Sequence, residues 1–322
     1  MENTTIDIKN LSKSYGDFKA VDNISFSVKK GEIFGLLGPN GAGKTTTVNI
    51  LTTLIKPTSG DATVASYDIM KQQREVKRNI GWVSAEIILD DDLNAWENLG
   101  LQAALQSINK WEEFADTLLK YFGLEEFKYK NVRKFSTGMR KKLEIVMALL
   151  NSPEVIFMDE PTIGLDVATR KMLWDLINLI KNEYHVTVFL TTHYMDEADQ
   201  LCDRIAIINH GKIIAIGSPH ELKEKAGGFA LSLEVKEDFN KSSLDKYNII
   251  DQKGNKLVIE INSKDSVIDI LKSIDMNKLK SINMITPSLD SVFLKLTGST
   301  ITESEESIDY RKFYSMIRRN TQ

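Results

Sequence analysis

The stretch from Gly38 to Thr46 reads GPNGAGKTT. Gly38, Gly43, Lys44 and Thr45 satisfy the spacing G-x-x-x-x-G-K-[ST], with a further glycine at Gly41. Polyphosphate binding demands this combination. Glycines leave the backbone free to turn its N–H groups inward onto phosphate oxygens, and a helix starting at the end of the loop adds the positive end of its dipole. Lys44 is then expected to reach the β- and γ-phosphates, and the Thr45 hydroxyl to ligate Mg²⁺. Pro39, Asn40, Ala42 and Thr46 complete the expected nucleotide-binding stretch.

A second element supplies the acid–base chemistry such a ligand needs. VIFMDE is an apolar run ending in Asp159 and Glu160. Successive side chains of a strand point to opposite faces, so one carboxylate can hold a metal while its neighbour turns to a water. Asp159 is therefore expected at Mg²⁺, and Glu160 as general base for the water that attacks the γ-phosphate. An isolated Asp-Glu pair more often marks a solvated strand end, but the apolar residues in front of this one point to a buried strand.

The flanks of both motifs have patterns able to position them. IFGLL precedes the loop as a short apolar run, and TTTVNIL follows it. Short apolar runs then alternate with helical patterns, as in TVFLTTH, YMDEADQLCD and RIAIIN, which predicts an α/β layer architecture. Between Glu97 and Gly123, Leu101, Leu105, Ile108, Leu118, Leu119 and Phe122 recur at mostly helical spacing, which predicts a helical insertion. The turn-rich GSPHELKEKAGG, ending at Gly227 and Gly228, predicts a domain boundary. Beyond it FALSLEV and KLVIEI alternate like half-buried strands, SVIDILKSI has helical spacing, and PSLDSVFLKLTG predicts a helix ended by Gly298. In the tail, Tyr310, Phe313, Tyr314 and Ile317 share one face of a predicted short helix.

Composition bounds what these motifs serve. The chain has 322 residues, 42% apolar and 27% charged, with a net charge of −4. That is an ordinary globular composition, long enough for about two domains. The acidic balance argues against a surface built to grip nucleic-acid phosphates, so no nucleic-acid partner is expected. The single cysteine, Cys202, excludes an internal disulfide framework and reads as a small core residue. No run approaches the ~18 uninterrupted apolar residues of a membrane span, and the N-terminus lacks a signal-peptide progression, so a cytoplasmic location is expected.

Between the two motifs lies FSTGMRKKLEIVMALLNSPEVIFMDEPTIGLD, and with it residues 5–222 resemble the ATP-binding subunits of ABC transporters. The resemblance implies an α/β fold: a P-loop ABC ATPase cassette over residues 1–222, with a mixed sheet core and a helical subdomain near residues 90–150. A small C-terminal α/β domain at 229–298 and an acidic linker with an amphipathic tail at 299–322 would follow. ATP and Mg²⁺ are the implied cofactors. The family pairs two cassettes head to tail, closing each ATP between one chain's phosphate loop and the other's FSTGM segment. In that arrangement Ser136 and the backbone of Gly138 offer a hydroxyl, N–H groups and a helix end to the γ-phosphate. Tyr15 corresponds to the aromatic that stacks on adenine, His193 to the switch histidine that orients phosphate and water, and Asp166 to the loop that contacts the partner cassette. Lys44, Glu160 and His193 are thus the implied catalytic residues. The implied partners are a second, identical cassette and a separately encoded integral-membrane permease, which would hold the chain at the inner face of the cell membrane. PSLDSVFLKLTG and FSTGM look nearest to the daunorubicin-resistance type of exporter ATPase.

Two positions depart from the family pattern. After the predicted strand IGWVS the family usually has a glutamine that links metal site and membrane partner, but this chain has Ala85 and then Glu86. Either Glu86 substitutes or other residues of the acidic LDDDLNAWENL do, with Asp91 expected on a solvated face. Thr137 stands where a second glycine is common, which crowds the approach of backbone to phosphate. Two other readings stay open: a soluble ABC ATPase of DNA repair or translation, and a slow-turnover nucleotide sensor. The first usually carries two cassettes, coiled-coil insertions or cysteine-rich modules, none of which this sequence shows.

Overall fold

The structure, a computed structural model, describes residues 4–297 apart from 227–228, 237–238, 240–243, 245, 262–263 and 286. The predicted tail helix, Gly298 and the Gly227–Gly228 pair lie outside the described residues. Two compact units divide the chain, Met1–Pro219 and His220–Gln322.

The first unit opens with two long strands, β1 (Thr4–Tyr15) and β2 (Phe18–Lys29), whose ends pair at Tyr15 and Phe18 around a tight turn with Gly16 at φ 58°. Then come β3 (Ile33–Leu37), α1 (Lys44–Leu51), β4 (Ser59–Val64), β5 (Tyr67–Asp68), α2 (Gln73–Arg78) and β6 (Ile80–Val83). Three helices follow without an intervening strand: α3 (Ala95–Gln106), α4 (Glu112–Tyr121) and α5 (Thr137–Leu149). The unit continues with β7 (Val155–Asp159), α6 (Val167–Tyr184), β8 (Thr187–Thr192), α7 (Met195–Leu201), β9 (Arg204–Asn209) and β10 (Lys212–Gly217).

These strands form two sheets. One is antiparallel in the order β2-β1-β4-β5, and the other runs β10-β9-β3-β8-β7-β6. In the second sheet every neighbouring pair from β9 to β6 is parallel, and β10 joins antiparallel. The architecture is α/β with a mixed sheet, as the sequence predicts. The antiparallel sheet of residues 4–68 is a difference from simple alternation of strands and helices. Strands joined by a tight turn can only lie antiparallel, since a parallel pair needs a long crossover.

β3, β7 and β8 are buried along their whole length. This explains why they read as continuous apolar runs and not as alternating ones. The two sheets meet through aromatic rings: Phe26 of β2 stacks on Phe34 of β3 with centroids 5.2 Å apart, and Phe34 on Phe189 of β8 at 5.7 Å. Cys202 closes the same unit near its helices. An added Cβ at Gly35 would meet its Sγ at 2.6 Å, and burial pushes its thiol well above the ordinary range, so it is an inert core residue.

The helical insertion starts at a capping box: Asn94 accepts from the Glu97 N–H at 2.9 Å, and the Glu97 carboxylate accepts from the Asn94 N–H at 2.8 Å. Leu118, Leu119 and Phe122 are buried, whereas Leu101 and Leu105 face solvent.

α8 (Pro219–Ala226) begins at the boundary of the second unit. That unit holds β11 (Phe229–Val235), β12 (Ile249–Lys253), β13 (Lys256–Ile261), α9 (Lys264–Ser273), β14 (Leu279–Ile285) and α10 (Leu289–Thr297). Its sheet is antiparallel in the order β12-β13-β11-β14, over a core that includes Leu231, Leu233, Leu257, Ile259 and Ile270. Among the described residues no helix is long and apolar enough to cross a membrane.

Phe34 is fully buried between both sheets. Phe34→Ala is expected to cost about 3–5 kcal/mol in denaturant titration of the full chain, and a loss below about 1 kcal/mol would contradict the role given to this stack.

Candidate nucleotide-binding site

Three parallel strands end at one edge of the sheet. Leu37 of β3 pairs with Thr192 of β8, and Asp159 of β7 with Thr191 of β8, so the segments that follow all three emerge together. Ligands of open parallel sheets bind at this edge. The Gly38 N–H donates to the Thr192 carbonyl at 3.2 Å, tying the start of the loop to its neighbour. Two glycines are required by space: an added Cβ at Gly38 would meet the Ile208 carbonyl oxygen at 2.3 Å, and at Gly43, with φ 105°, the Ala20 carbonyl oxygen at 2.3 Å. α1 begins at Lys44 with no side-chain cap and no acidic residue in its first turn. Its opening N–H groups are suited to an anion.

Lys44 is only 4% exposed, and three oxygens surround its ammonium. It donates to the carbonyls of Gly38 at 2.9 Å and Pro39 at 3.1 Å and pairs with Glu160 Oε1 at 3.0 Å. The other Glu160 oxygen, Oε2, lies 2.9 Å from His193 Nδ1. Glu160 has φ 46°, a left-handed conformation uncommon for a residue with a side chain. Its N–H donates to both the carbonyl and the hydroxyl of Thr191 at 3.1 Å, which holds that turn in place. The neighbouring carboxylate goes elsewhere. Asp159 Oδ1 accepts from the Thr45 hydroxyl at 3.3 Å and from the Thr191 hydroxyl at 2.5 Å.

Hydroxyl and carboxylate oxygens are the donors that Mg²⁺ takes. Among the described residues no group of three or more His, Cys, Asp or Glu side chains converges on one point. An ion held by Thr45 and Asp159 would therefore complete its shell with phosphate and water oxygens, as Mg²⁺ commonly does.

Gly38, Pro39, Lys44, Thr45, Asp159, Glu160 and His193 thus lie in one contact network, while Tyr15, Ser136, Gly138 and Asp166 have their contacts elsewhere. Tyr15 is exposed at the end of β1, with the Lys13 ammonium 5.0 Å from its ring centre. Ser136 caps α5 and accepts from the Met139 N–H at 3.3 Å; Ser136 and Thr137 are exposed, and Gly138 faces Thr169, whose Cγ2 an added Cβ would meet at 3.1 Å. Asp166 caps α6, accepting from the N–H groups of Ala168 and Thr169 at 3.0 Å and from the Thr169 hydroxyl at 2.6 Å. The Thr169 hydroxyl and these N–H groups hold its carboxyl below the usual carboxylate range. Glu86 is exposed on the segment after β6. Asp91, expected on a solvated face, keeps a side chain 46% exposed and also pairs with Arg140 of α5 at 2.5 Å, because the segment folds back on that helix.

Sequence reasoning missed Thr191, whose hydroxyl joins both carboxylate positions. The signal was there: a pair of threonines at the end of an otherwise apolar run. It also missed Tyr194, whose ring lies 4.1 Å from that of His193 and carries the Arg170 guanidinium 4.3 Å above its centre.

Residues 21–163 match the ABC transporter family. The chain is 39% identical over 239 residues to the daunorubicin resistance ATP-binding protein DrrA3 of Streptomyces coeruleorubidus, covering 74% of this chain and 75% of that protein. It is 37% identical over 308 residues to the linearmycin resistance ATP-binding protein LnrL of Bacillus subtilis, covering 92% and 99%. The chain belongs to the ATP-binding subunits of ABC transporters. Within them it resembles the daunorubicin-resistance ATP-binding proteins, and it is an ATPase. Among solved structures, the dimeric post-hydrolysis state of the ATP-binding cassette MJ0796, bound to ADP and Pi, superposes with a TM-score of 0.59 at 28% identity, covering 66% of this chain and 98% of that one.

Four residues after His193 this ABC cassette buries another glutamate. Glu197 of α7 is fully buried, and its Oε1 accepts from the Trp174 indole N–H at 3.1 Å. Burial pushes its carboxyl above the ordinary 4.5. The folded chain therefore keeps a proton that the unfolded chain releases above that pH, and stability falls as pH rises from 4.5 through the folded value. Glu197→Gln, neutral at every pH, is expected to flatten that part of the melting-temperature profile; a profile of unchanged slope would contradict the assignment.

Proposed function

We propose that this chain is one half of a paired ATP-driven motor. In this reading two identical cassettes, each built on residues 1–222 with the helical subdomain near 90–150, close head to tail around two MgATP and drive a separately encoded permease in the export direction. The observation that carries it is the set of contacts Lys44–Glu160–His193 beside Thr45–Asp159. Phosphate oxygens entering the loop compete with Glu160 for the Lys44 ammonium. Once Lys44 turns to phosphate, the Glu160 carboxylate is free to take a proton from water as that water's oxygen attacks the γ-phosphorus, and the β-phosphate leaves with the bonding electron pair. His193, bonded to Glu160 Oε2, holds the carboxylate and the water in line. Thr45 and Asp159 would hold Mg²⁺, which when bound would supply positive charge to the phosphate oxygens.

Several features support the second half of the site coming from a partner. Ser136 presents its exposed hydroxyl at the start of α5, and the exposed Ile163 and Val167 flank Asp166, the cap of α6. Exposed apolar side chains of this kind suit a surface that is covered in the working assembly. Tyr15, equally exposed, suits an adenine ring. A cleft lined by Leu54, Trp82, Ile88 and Leu105, with Arg74 and Lys77, lies beside the segment after β6 and supports docking of a cytoplasmic part of the permease. The resistance functions in the names of the relatives support export; the cargo class stays with those proteins.

Glu160→Gln is expected to lower ATP turnover by about 10²–10⁴ while leaving ATP binding intact, since a general base acts in the transition state. In the same variant MgATP should give a dimer by light scattering that dissociates when nucleotide is removed. Turnover near wild type would remove Glu160 from this role.

A further inference from the structure

α5 carries two charged side chains that its amphipathic position does not explain. Lys141 and Glu144 are both 3% exposed, and Lys141 Nζ lies 2.8 Å from Glu144 Oε2. Taking two charges out of water costs more than such a pair usually returns, so stability alone gives no reason for it. Their other bonds give one. The Lys141 ammonium donates to the Ser84 carbonyl at 2.8 Å, and Glu144 Oε1 accepts from the Ile88 N–H at 2.8 Å. The pair therefore grips both ends of the segment 84–88, with Ala85 and Glu86 between the two bonds. A partly buried ion pair, Arg140 to Asp91 at 2.5 Å, and an exposed one, Arg133 to Asp92 at 2.6 Å, continue the attachment.

The segment so gripped is next to the chemistry. It leaves the sheet where Val83 of β6 pairs with Met158, the residue before Asp159. The helix that grips it begins at Ser136. We propose that Lys141 and Glu144 are positioning residues that clamp the segment 84–88 to α5, so that this segment and the Ser136 end of the helix move as one body during ATP turnover. The proposal rests on the reading of the site given above. The buried donor and acceptor at the two ends fix the segment's backbone, whatever its side chains are. This accounts for a working cassette with alanine at position 85, since the link between helix and sheet edge runs through main-chain atoms.

The test replaces the pair by apolar residues of similar volume, Lys141→Met with Glu144→Leu, which removes both charges together and leaves no buried ion unpaired. In the full chain the melting temperature and ATP affinity are expected to stay near wild type. Amide exchange at Ile88 should accelerate at least about 10-fold, with the α5 amides unchanged. ATP turnover should fall about 10-fold. A companion variant, Lys141→Met with Glu144→Gln, also buries no charge but keeps an acceptor for the Ile88 N–H, so exchange there is expected to stay within about threefold of wild type. If the apolar pair fails to fold, the companion decides alone: fast Ile88 exchange in it overturns the clamp, and slow exchange supports it. Unchanged exchange in a folded apolar variant overturns the clamp, and faster exchange with unchanged turnover overturns its link to the reaction. Exchange does not depend on hydrolysis, so failure of the Glu160 assignment would leave this readout standing.

Discussion

A buried ammonium must be surrounded by acceptors, and the site is organised around how Lys44 meets that demand. Two of its three oxygens are carbonyls of its own loop, at Gly38 and Pro39, and the third belongs to Glu160 at the tip of another strand. The loop can curl over its own lysine only because Gly38 and Gly43 have no side chains to strike the Ile208 and Ala20 carbonyls. Glu160 can reach it only from a left-handed backbone turn held by Thr191. Both conditions depend on β3, β7 and β8 being parallel neighbours in register, which is what their continuous burial between the antiparallel sheet and the helices secures.

This dependence also separates the two acidic roles. Asp159 is the last residue of β7 and its carboxylate is bonded to the Thr45 and Thr191 hydroxyls, whereas Glu160, one residue on, faces Lys44 and His193. Adjacent carboxylates with unlike partners can hold a metal ion and handle a proton without exchanging tasks. Tyr15, Ser136, Gly138 and Asp166 stand outside this set; in the proposed reading they act only when nucleotide and a second chain are brought up.

Much of this was legible in the sequence because the motifs sit in the patterns that position them. GPNGAGKTT between an apolar run and a helix gave the loop, and VIFMDE gave the strand and its two carboxylates. What escaped reading had physical reasons. The antiparallel sheet of residues 4–68 follows from the short link between Tyr15 and Phe18, which apolar periodicity does not report. Leu101 and Leu105 have the spacing of a buried face yet are exposed, and Lys141 and Glu144 have the composition of a solvated one yet are buried. In each case tertiary contacts decided the environment, and neither spacing nor residue type alone could. The Asp91–Arg140 pair escaped reading for the same reason: the two residues are distant in sequence and meet only once α5 packs against the segment after β6.

In the proposed pair each chain holds half of every hydrolytic site. The most direct measurement of this division mixes two inactive variants: Lys44→Ala, which lacks a working phosphate loop, and Ser136→Arg, which obstructs the opposing helix end. A mixed dimer contains one site made only of intact halves, so an equal mixture is expected to recover about a quarter of wild-type ATP turnover if sites act independently. A mixture no more active than either chain alone would contradict the account.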